Sequence, residues 1–203
     1  MPFERLKGMI KHLLPAVTLL VTTNVAAQDV EFVRALERAQ QARPAKLAAT
    51  ARIAPENEPG TPLVIHGRAY AADRKTPLAN AVIFAYHTDK DGLYDRPGTS
   101  NLSWRLRGWA QTDGEGRFEF QTIRPGAYPG RTVAEHVHFN VFTASGERYH
   151  AGELHFADDS IVSGTERAAS EREGDFGTVR PVRREGQAQH VDFRIRLEPS
   201  QRF

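Results

Sequence analysis

From Leu63 onward, short apolar runs alternate with clusters of Gly, Pro, Asp and Ser. The alternation is strictest in His136-Val137-His138-Phe139-Asn140-Val141. There Val137, Phe139 and Val141 point to one face, and His136, His138 and Asn140 to the other. A period of two marks a strand with one buried side. The same pattern predicts strands over 63–71, 81–87, 108–112, 117–123, 136–143, 153–156 and 190–197. Between them, Asp113-Gly114, Pro125-Gly126 and Ser145-Gly146 supply preset or left-handed turns, which favour hairpins. Short strands at this spacing predict an all-β fold, an antiparallel β-sandwich with long loops. Upstream, 29–49 is patterned as a short N-terminal helical segment. Phe32, Val33, Leu36 and Ala39 share a face, with Glu31, Arg34, Glu37 and Arg38 off it, until Pro44 interrupts. Residues 55–62 read as a linker, and 89–105 and 157–189 as long loops without a strand pattern.

The first residues have another character. Arg5, Lys7 and Lys11 precede an apolar run over 13–25, which ends in Val25-Ala26-Ala27. A basic start, a short apolar run and small residues at a cleavage position make a signal peptide. The run is too short to span a hydrocarbon layer of ~30 Å, so stable membrane insertion is not expected once it is removed. The expected organisation is 1–27 signal peptide, 28–59 helical segment and linker, and 60–203 sandwich domain. The expected location is exported, periplasmic or secreted.

That leader changes the charge balance. It carries three basic residues (Arg5, Lys7, Lys11) and one acid (Glu4), so the 27 basic and 25 acidic side chains of the whole chain become 24 and 24 without it. No basic run of the nucleic-acid-binding kind remains, and nucleic acid is not expected as a partner. The chain has no cysteine, which excludes disulfides, thiolate metal sites and a thiol nucleophile. Any metal must be held by histidine, tyrosine or carboxylate.

Candidate chemistry gathers around the His-x-His strand. Residues two apart in a strand are about 7 Å apart along the backbone, and their imidazoles can converge on one metal with bonds of ~2.1 Å. Exposed His-x-His pairs also occur on solvated sheet faces, and tyrosines between turn residues often pack as amphipathic plugs. Tyr94 ends Asp89-Lys90-Asp91-Gly92-Leu93-Tyr94, and Tyr128 sits in Arg124-Pro125-Gly126-Ala127-Tyr128-Pro129-Gly130. The order Tyr…Tyr…His-x-His is more specific than any of its parts.

With these motifs, Gly67 to about Asp159 resembles the intradiol ring-cleavage dioxygenases of the catechol and protocatechuate type. The matching stretches are IFAYHTDKDGLY from Ile83, RGWAQTDGEGRFEFQTIRPGAYP from Arg107, HVHFNV from His136 and LHFAD from Leu154. The resemblance implies a β-sandwich holding one non-haem Fe(III) with Tyr94, Tyr128, His136 and His138 as ligands. It implies a small aromatic diol and O2 as substrates and a muconate-type diacid as product. One tyrosinate, assigned to Tyr94, would be displaced by the diol and act as a base. Fe(III) is a hard ion, so phenolate oxygen suits it and imidazole is tolerated.

The chain departs from the family pattern at two places. The arginine often found three residues before the first histidine is replaced by Val133, and Arg131, closer to Tyr128, becomes the candidate for stabilising substrate charge. A family glutamine two residues before His155 is replaced by Glu153, whose carboxylate would repel a catecholate unless protonated or turned away. His87 reads as a structural histidine, Tyr86 as a rival to Tyr94, and Asp158-Asp159 as a polar turn. His66, His150, His155 and His190 show no shared spacing. Family N-terminal helices often form dimer contacts, so a homodimer is among the expectations.

Two other readings stay open from sequence. A non-enzymatic transthyretin-like or carboxypeptidase-regulatory-like sandwich would account for Pro77–Val82, Asp113–Phe118 and Pro125–Tyr128, although not for Tyr94 or His-x-His. A zinc or copper site on His136 and His138 would need no tyrosinate.

Overall fold

The structure, a computed structural model, describes residues 22–95, 104–130 and 133–203. Among these residues lie helices α1 (Thr22–Gln41) and α2 (Gly164–Glu173) and ten strands. The strands are β1 (Thr50–Arg52), β2 (Pro62–Tyr70), β3 (Val82–His87), β4 (Leu106–Gln111), β5 (Arg117–Ile123), β6 (His136–Phe142), β7 (Arg148–Phe156), β8 (Val179–Arg180), β9 (Arg183–Glu185) and β10 (Ala188–Arg196). One sheet has the order β1-β5-β2-β10-β9 and the other β4-β3-β6-β7-β8. No helix among the described residues is long and apolar enough to cross a membrane.

The sandwich is as expected, but its sheets are mixed rather than purely antiparallel. β1 runs parallel to β5, β10 parallel to β2, and β8 parallel to β7. Turn residues specify hairpins between neighbours in sequence. They carry no information on where a late strand such as β10 inserts. The helical segment also differs: α1 stops at Gln41 rather than continuing to residue 49. Pro44 disfavours a helical residue before it, and the chain beyond turns extended. The Ala48 carbonyl accepts from the Gln111 N–H and the Ala49 carbonyl from Glu119 N–H, so this segment bridges β4 of one sheet and β5 of the other. α2 falls where a loop was expected. Its signal is a capping box, with Ser163 accepting from the Glu166 N–H and the Glu166 carboxylate accepting from Ser163 N–H.

Inward residues of both sheets form the main core, including Ile65, Ile83, Phe120, Val137, Phe139, Leu154 and Phe193. A second cluster covers the outer face of the β6-containing sheet. There Ala35, Leu36 and Ala39 of α1 pack with Phe84, Trp104, Trp109 and Phe142. Tyr86 belongs to this cluster and carries it to the candidate site, stacking on Trp104 and on His138.

Candidate metal centre

His136 and His138 project from the outer face of β6, since the intervening Val137 is fully buried in the core. The strand alternation expected from sequence therefore holds. Tyr94 and Tyr128 arrive on two loops that touch. In the first, the Asp89 carboxylate accepts from Asp91 N–H and Leu93 N–H, which curls the loop before Tyr94. In the second, Gly126 N–H donates to the Asp89 carbonyl. Glycine is required at this crossing. A Cβ on Gly126 would lie 2.3 Å from the Lys90 carbonyl oxygen, and one on Gly92 2.0 Å from that of Ala127. Gly92 also has φ +80°, which side chains disfavour.

Arg124 anchors the Tyr128 loop, pairing with Glu135 just before β6 and with Asp158 just after β7. Asp159 accepts from Glu135 N–H and Ile161 N–H. The Asp158-Asp159 pair is thus committed to holding the strands that carry the histidines. Arg105 secures the other loop, reaching the Glu58 carboxylate with two nitrogens at 2.7 and 2.8 Å.

These supports bring four donor atoms to one point. Tyr94 Oη lies 2.7 Å from His138 Nε2, Tyr128 Oη 3.1 Å from His136 Nε2, and the two Nε2 atoms 3.0 Å apart. The two phenol oxygens are also in close contact with each other. The imidazole tautomers follow from what lies behind each ring. His136 Nδ1–H donates to the Ala134 carbonyl at 2.7 Å, and His138 Nδ1–H to the Glu153 carboxylate at 3.1 Å. Both Nε2 atoms therefore present lone pairs toward the tyrosine hydroxyls. The two hydroxyl hydrogens cannot serve all four contacts, so the Nε2–Nε2 contact and one other are left with no hydrogen to share. With the rings at 86°, the lone pairs converge instead of facing head-on.

A cation resolves that crowding. Ligand atoms at right angles on a metal with bonds of about 2.1 Å are about 3.0 Å apart, so the spacing fits. Burial and the Tyr128 contact push the Tyr94 phenol well above its ordinary range, and burial pushes His136 down. Both groups thus stay neutral in the absence of a metal charge. A grouping of His136, His138 and Glu153 also lies within metal-ligand reach. Glu153, however, sits behind His138 on Nδ1, away from the lone pairs, and its second oxygen is 3.3 Å from His155 Nε2. It backs the cluster and does not share its meeting point. His138 and His155 hold its carboxyl well below the usual range.

The remaining candidates are sorted by position. Arg131 lies outside the described residues, and Val133 is partly exposed upstream of His136. Tyr86 is buried beneath His138 and takes no part in the four-atom cluster; burial pushes its phenol up. His87 is fully buried, with Nδ1–H donating to the Thr88 carbonyl and Nε2 accepting from the Thr122 hydroxyl. His66 and His190 meet on the outer face of the other sheet, their nitrogens 3.0 Å apart. Sequence spacing gave no sign of that pair, because β2 and β10 join through a long-range parallel pairing.

Fold and donor set together define a β-sandwich with a mixed phenol–imidazole cluster on the outer face of one sheet. The dioxygenase family model matches residues 37–199, and the chain belongs to the intradiol ring-cleavage dioxygenase family, which is iron-dependent. Catechol 1,2-dioxygenase 2 of Acinetobacter lwoffii is 36% identical over 78 residues, which is 38% of this chain and 28% of that protein. The protocatechuate 3,4-dioxygenase beta chain of Burkholderia cepacia is 32% identical over 131 residues, 56% of this chain and 54% of that one. The chain thus spans about a quarter to about a half of the length of these curated relatives. Among solved structures, the dioxygenase domain of a carbohydrate-binding fusion protein from Streptomyces sp. SirexAA-E superposes with a TM-score of 0.56 at 22% identity. It covers 76% of this chain and 91% of that one. An intradiol ring-cleavage dioxygenase from Tetranychus urticae gives 0.55 at 18% identity, covering 79% and 91%. These likenesses establish the shared fold. The transthyretin-like alternative is not favoured.

Proposed function

We propose that the protein is a ferric dioxygenase that cleaves the ring of a catechol-type diol between its two hydroxylated carbons. Tyr94, Tyr128, His136 and His138 are the proposed ligands. The observation that carries this reading is the meeting of two phenol oxygens and two imidazole lone pairs, with two of their contacts lacking a hydrogen. When bound, ferric iron would take both diol oxygens and make the ring carbon open to attack by O2. The chain's own residues then have separable tasks. His136 and His138 keep their Nε2 atoms unprotonated through the bonds at their rear nitrogens. Tyr94, which touches both Tyr128 and His138, would be a phenolate when iron is bound and in that form would take a proton from the arriving diol. Arg131 is the proposed partner for negative charge on the substrate. Both atoms of O2 end in the two carboxyl groups of the product, and the carbon–carbon bond between the hydroxylated positions is the one broken.

The test is optical first. Full-length protein reconstituted with ferric iron should show a red to purple tyrosinate charge-transfer band, and Tyr94→Phe and Tyr128→Phe should each shift or remove it. Oxygen uptake with catechol, protocatechuate, hydroxyquinol and gallate-like diols then identifies the substrate class. A colourless iron-treated protein, or a band unchanged in both variants, would defeat the proposal. Export is part of the same reading, motivated by the signal pattern of residues 1–27. Cleavage after Ala27 would leave the packed part of α1, Ala35 to Ala39, on the protein. Mass analysis of the secreted chain should find Gln28 at its amino terminus; a chain retained in the cytoplasm with residues 1–27 attached would contradict it.

A further inference from the structure

Glu153 is one of the two places where this chain departs from the pattern that its family resemblance implies, and the structure gives the carboxylate a specific setting. It lies directly opposite His138 in the β6–β7 ladder. The ladder shifts register between His138 and Asn140, so that Ala151 and Gly152 together face Phe139. Gly152, at φ +81°, occupies the extra position of this bulge. The parity of β7 reverses there: Tyr149 and Ala151 point into the core before it, Leu154 and Phe156 after it. A regular strand would have turned Glu153 inward. The bulge instead puts Glu153 and His155 on the outer face, beside His136 and His138.

Each carboxylate oxygen then meets one imidazole, His138 Nδ1 at 3.1 Å and His155 Nε2 at 3.3 Å. His155 Nδ1 is buried without a partner, so its ring carries the proton on Nε2 and donates to Glu153. That clamp fixes the carboxylate in the plane where it accepts from His138. The two proposed iron ligands are consequently backed unequally, His136 by a neutral carbonyl and His138 by an anion. Charge-assisted hydrogen bonds are roughly twice as strong as neutral ones. A carboxylate behind a ligating histidine fixes its orientation and raises its basicity.

We propose that Glu153 is a positioning residue that aims His138 at the metal and makes it the stronger of the two imidazole donors, so that the site favours the ferric state. The inference rests on the reading of the cluster as an iron site. The carboxylate is turned onto imidazole N–H groups, where its charge is absorbed by the ligand shell instead of being directed at a substrate dianion.

Iron-loaded wild type, Glu153→Gln and Glu153→Asp test this. Replacing the anion by an amide should weaken Fe(III) binding about tenfold, move the charge-transfer band to longer wavelength and raise the ferric–ferrous midpoint potential. Glu153→Asp keeps the charge and should recover part of each change. Band position and potential report on ligand donation, which a purely structural role leaves alone. If Glu153→Gln lowers melting temperature or affinity but leaves both unchanged, the proposal is overturned while the iron site stands. A wild-type protein without any band overturns the iron reading and this inference with it.

Discussion

Acid should weaken this protein through His87, and the effect can be sized. His87 ends β3 immediately before the Tyr94 loop and bonds to Thr122 near the end of β5, from which the Tyr128 loop departs. Its neighbour Thr88 ties the two loops through a 2.7 Å bond to the Gly126 carbonyl. Full burial lowers the imidazole from 6.5 to about 4. Above pH 6.5 the ring is neutral in folded and unfolded chains alike, and the network contributes fully. As pH falls from 6.5 toward 4, the unfolded chain binds a proton that the folded chain refuses. Stability is then lost at about 1.4 kcal/mol per pH unit, about 3 kcal/mol in all. Below pH 4 both states are protonated and the loss stops. Gln at position 87 offers an amide N–H donor and a carbonyl acceptor in place of the ring's donor and acceptor, but does not titrate. Urea unfolding of wild type and His87→Gln between pH 8 and 4, followed by circular dichroism, isolates the contribution. The free-energy difference between them should shift by about 3 kcal/mol in favour of the variant on acidification. His136 and His150 are also pushed down by burial and add to the acid limb of both proteins, so the difference is the informative quantity. Parallel curves across the whole range would refute the assignment to His87.

Other perturbations probe separate links. Gly126→Ala places a methyl 2.3 Å from the Lys90 carbonyl oxygen, so the tyrosine loops must separate. Its iron-reconstituted form should lose most of the visible band while far-ultraviolet dichroism stays native, and a wild-type band would contradict the crossing. Leu36→Ala removes a side chain 1% exposed from the contact of α1 with the sheet. It should cost about 2–5 kcal/mol in denaturant unfolding, and an unchanged midpoint would mean that α1 contributes nothing to the folded domain. Ser163→Ala breaks the α2 capping box and should cost about 1 kcal/mol in the same assay, with no change in iron binding.

The strands were legible where the alternation of apolar and polar residues is uninterrupted. The 117–123 prediction coincides with β5, and 136–143 overshoots β6 by one residue. The prediction over 153–156 caught only the end of β7, and the bulge explains why. Before Gly152 the inward residues are odd-numbered, and after it they are even-numbered, so no single period covers Arg148–Phe156. β1, β8 and β9 have two or three residues each and are held by pairing to a neighbour, not by a pattern of their own. The parallel pairings were hidden for a similar reason. β2 and β10 lie at opposite ends of the domain, and turn chemistry says nothing about which edge a returning strand takes.

The candidate donors were readable because each type is chemically distinctive and their order is specific, but what orients them was not. Sequence identifies Glu153 as an unusual residue beside a histidine, and taken alone its charge looks unfavourable for a catecholate. Only the reversal of parity at Gly152 puts that charge on the His138 N–H. Similarly, Gly92 and Gly126 look like ordinary turn residues until their loops are seen to cross with no room for a Cβ. In the first case a backbone bulge decides what orients a donor, and in the second a close backbone crossing decides whether the two tyrosine loops can meet. Such a site should therefore be more sensitive to substitutions at these glycines than to changes of polar residues around its rim. It follows that a relative retaining both tyrosines and both histidines, but with bulkier residues at the positions of Gly92 and Gly126, would be a poor candidate for the same chemistry.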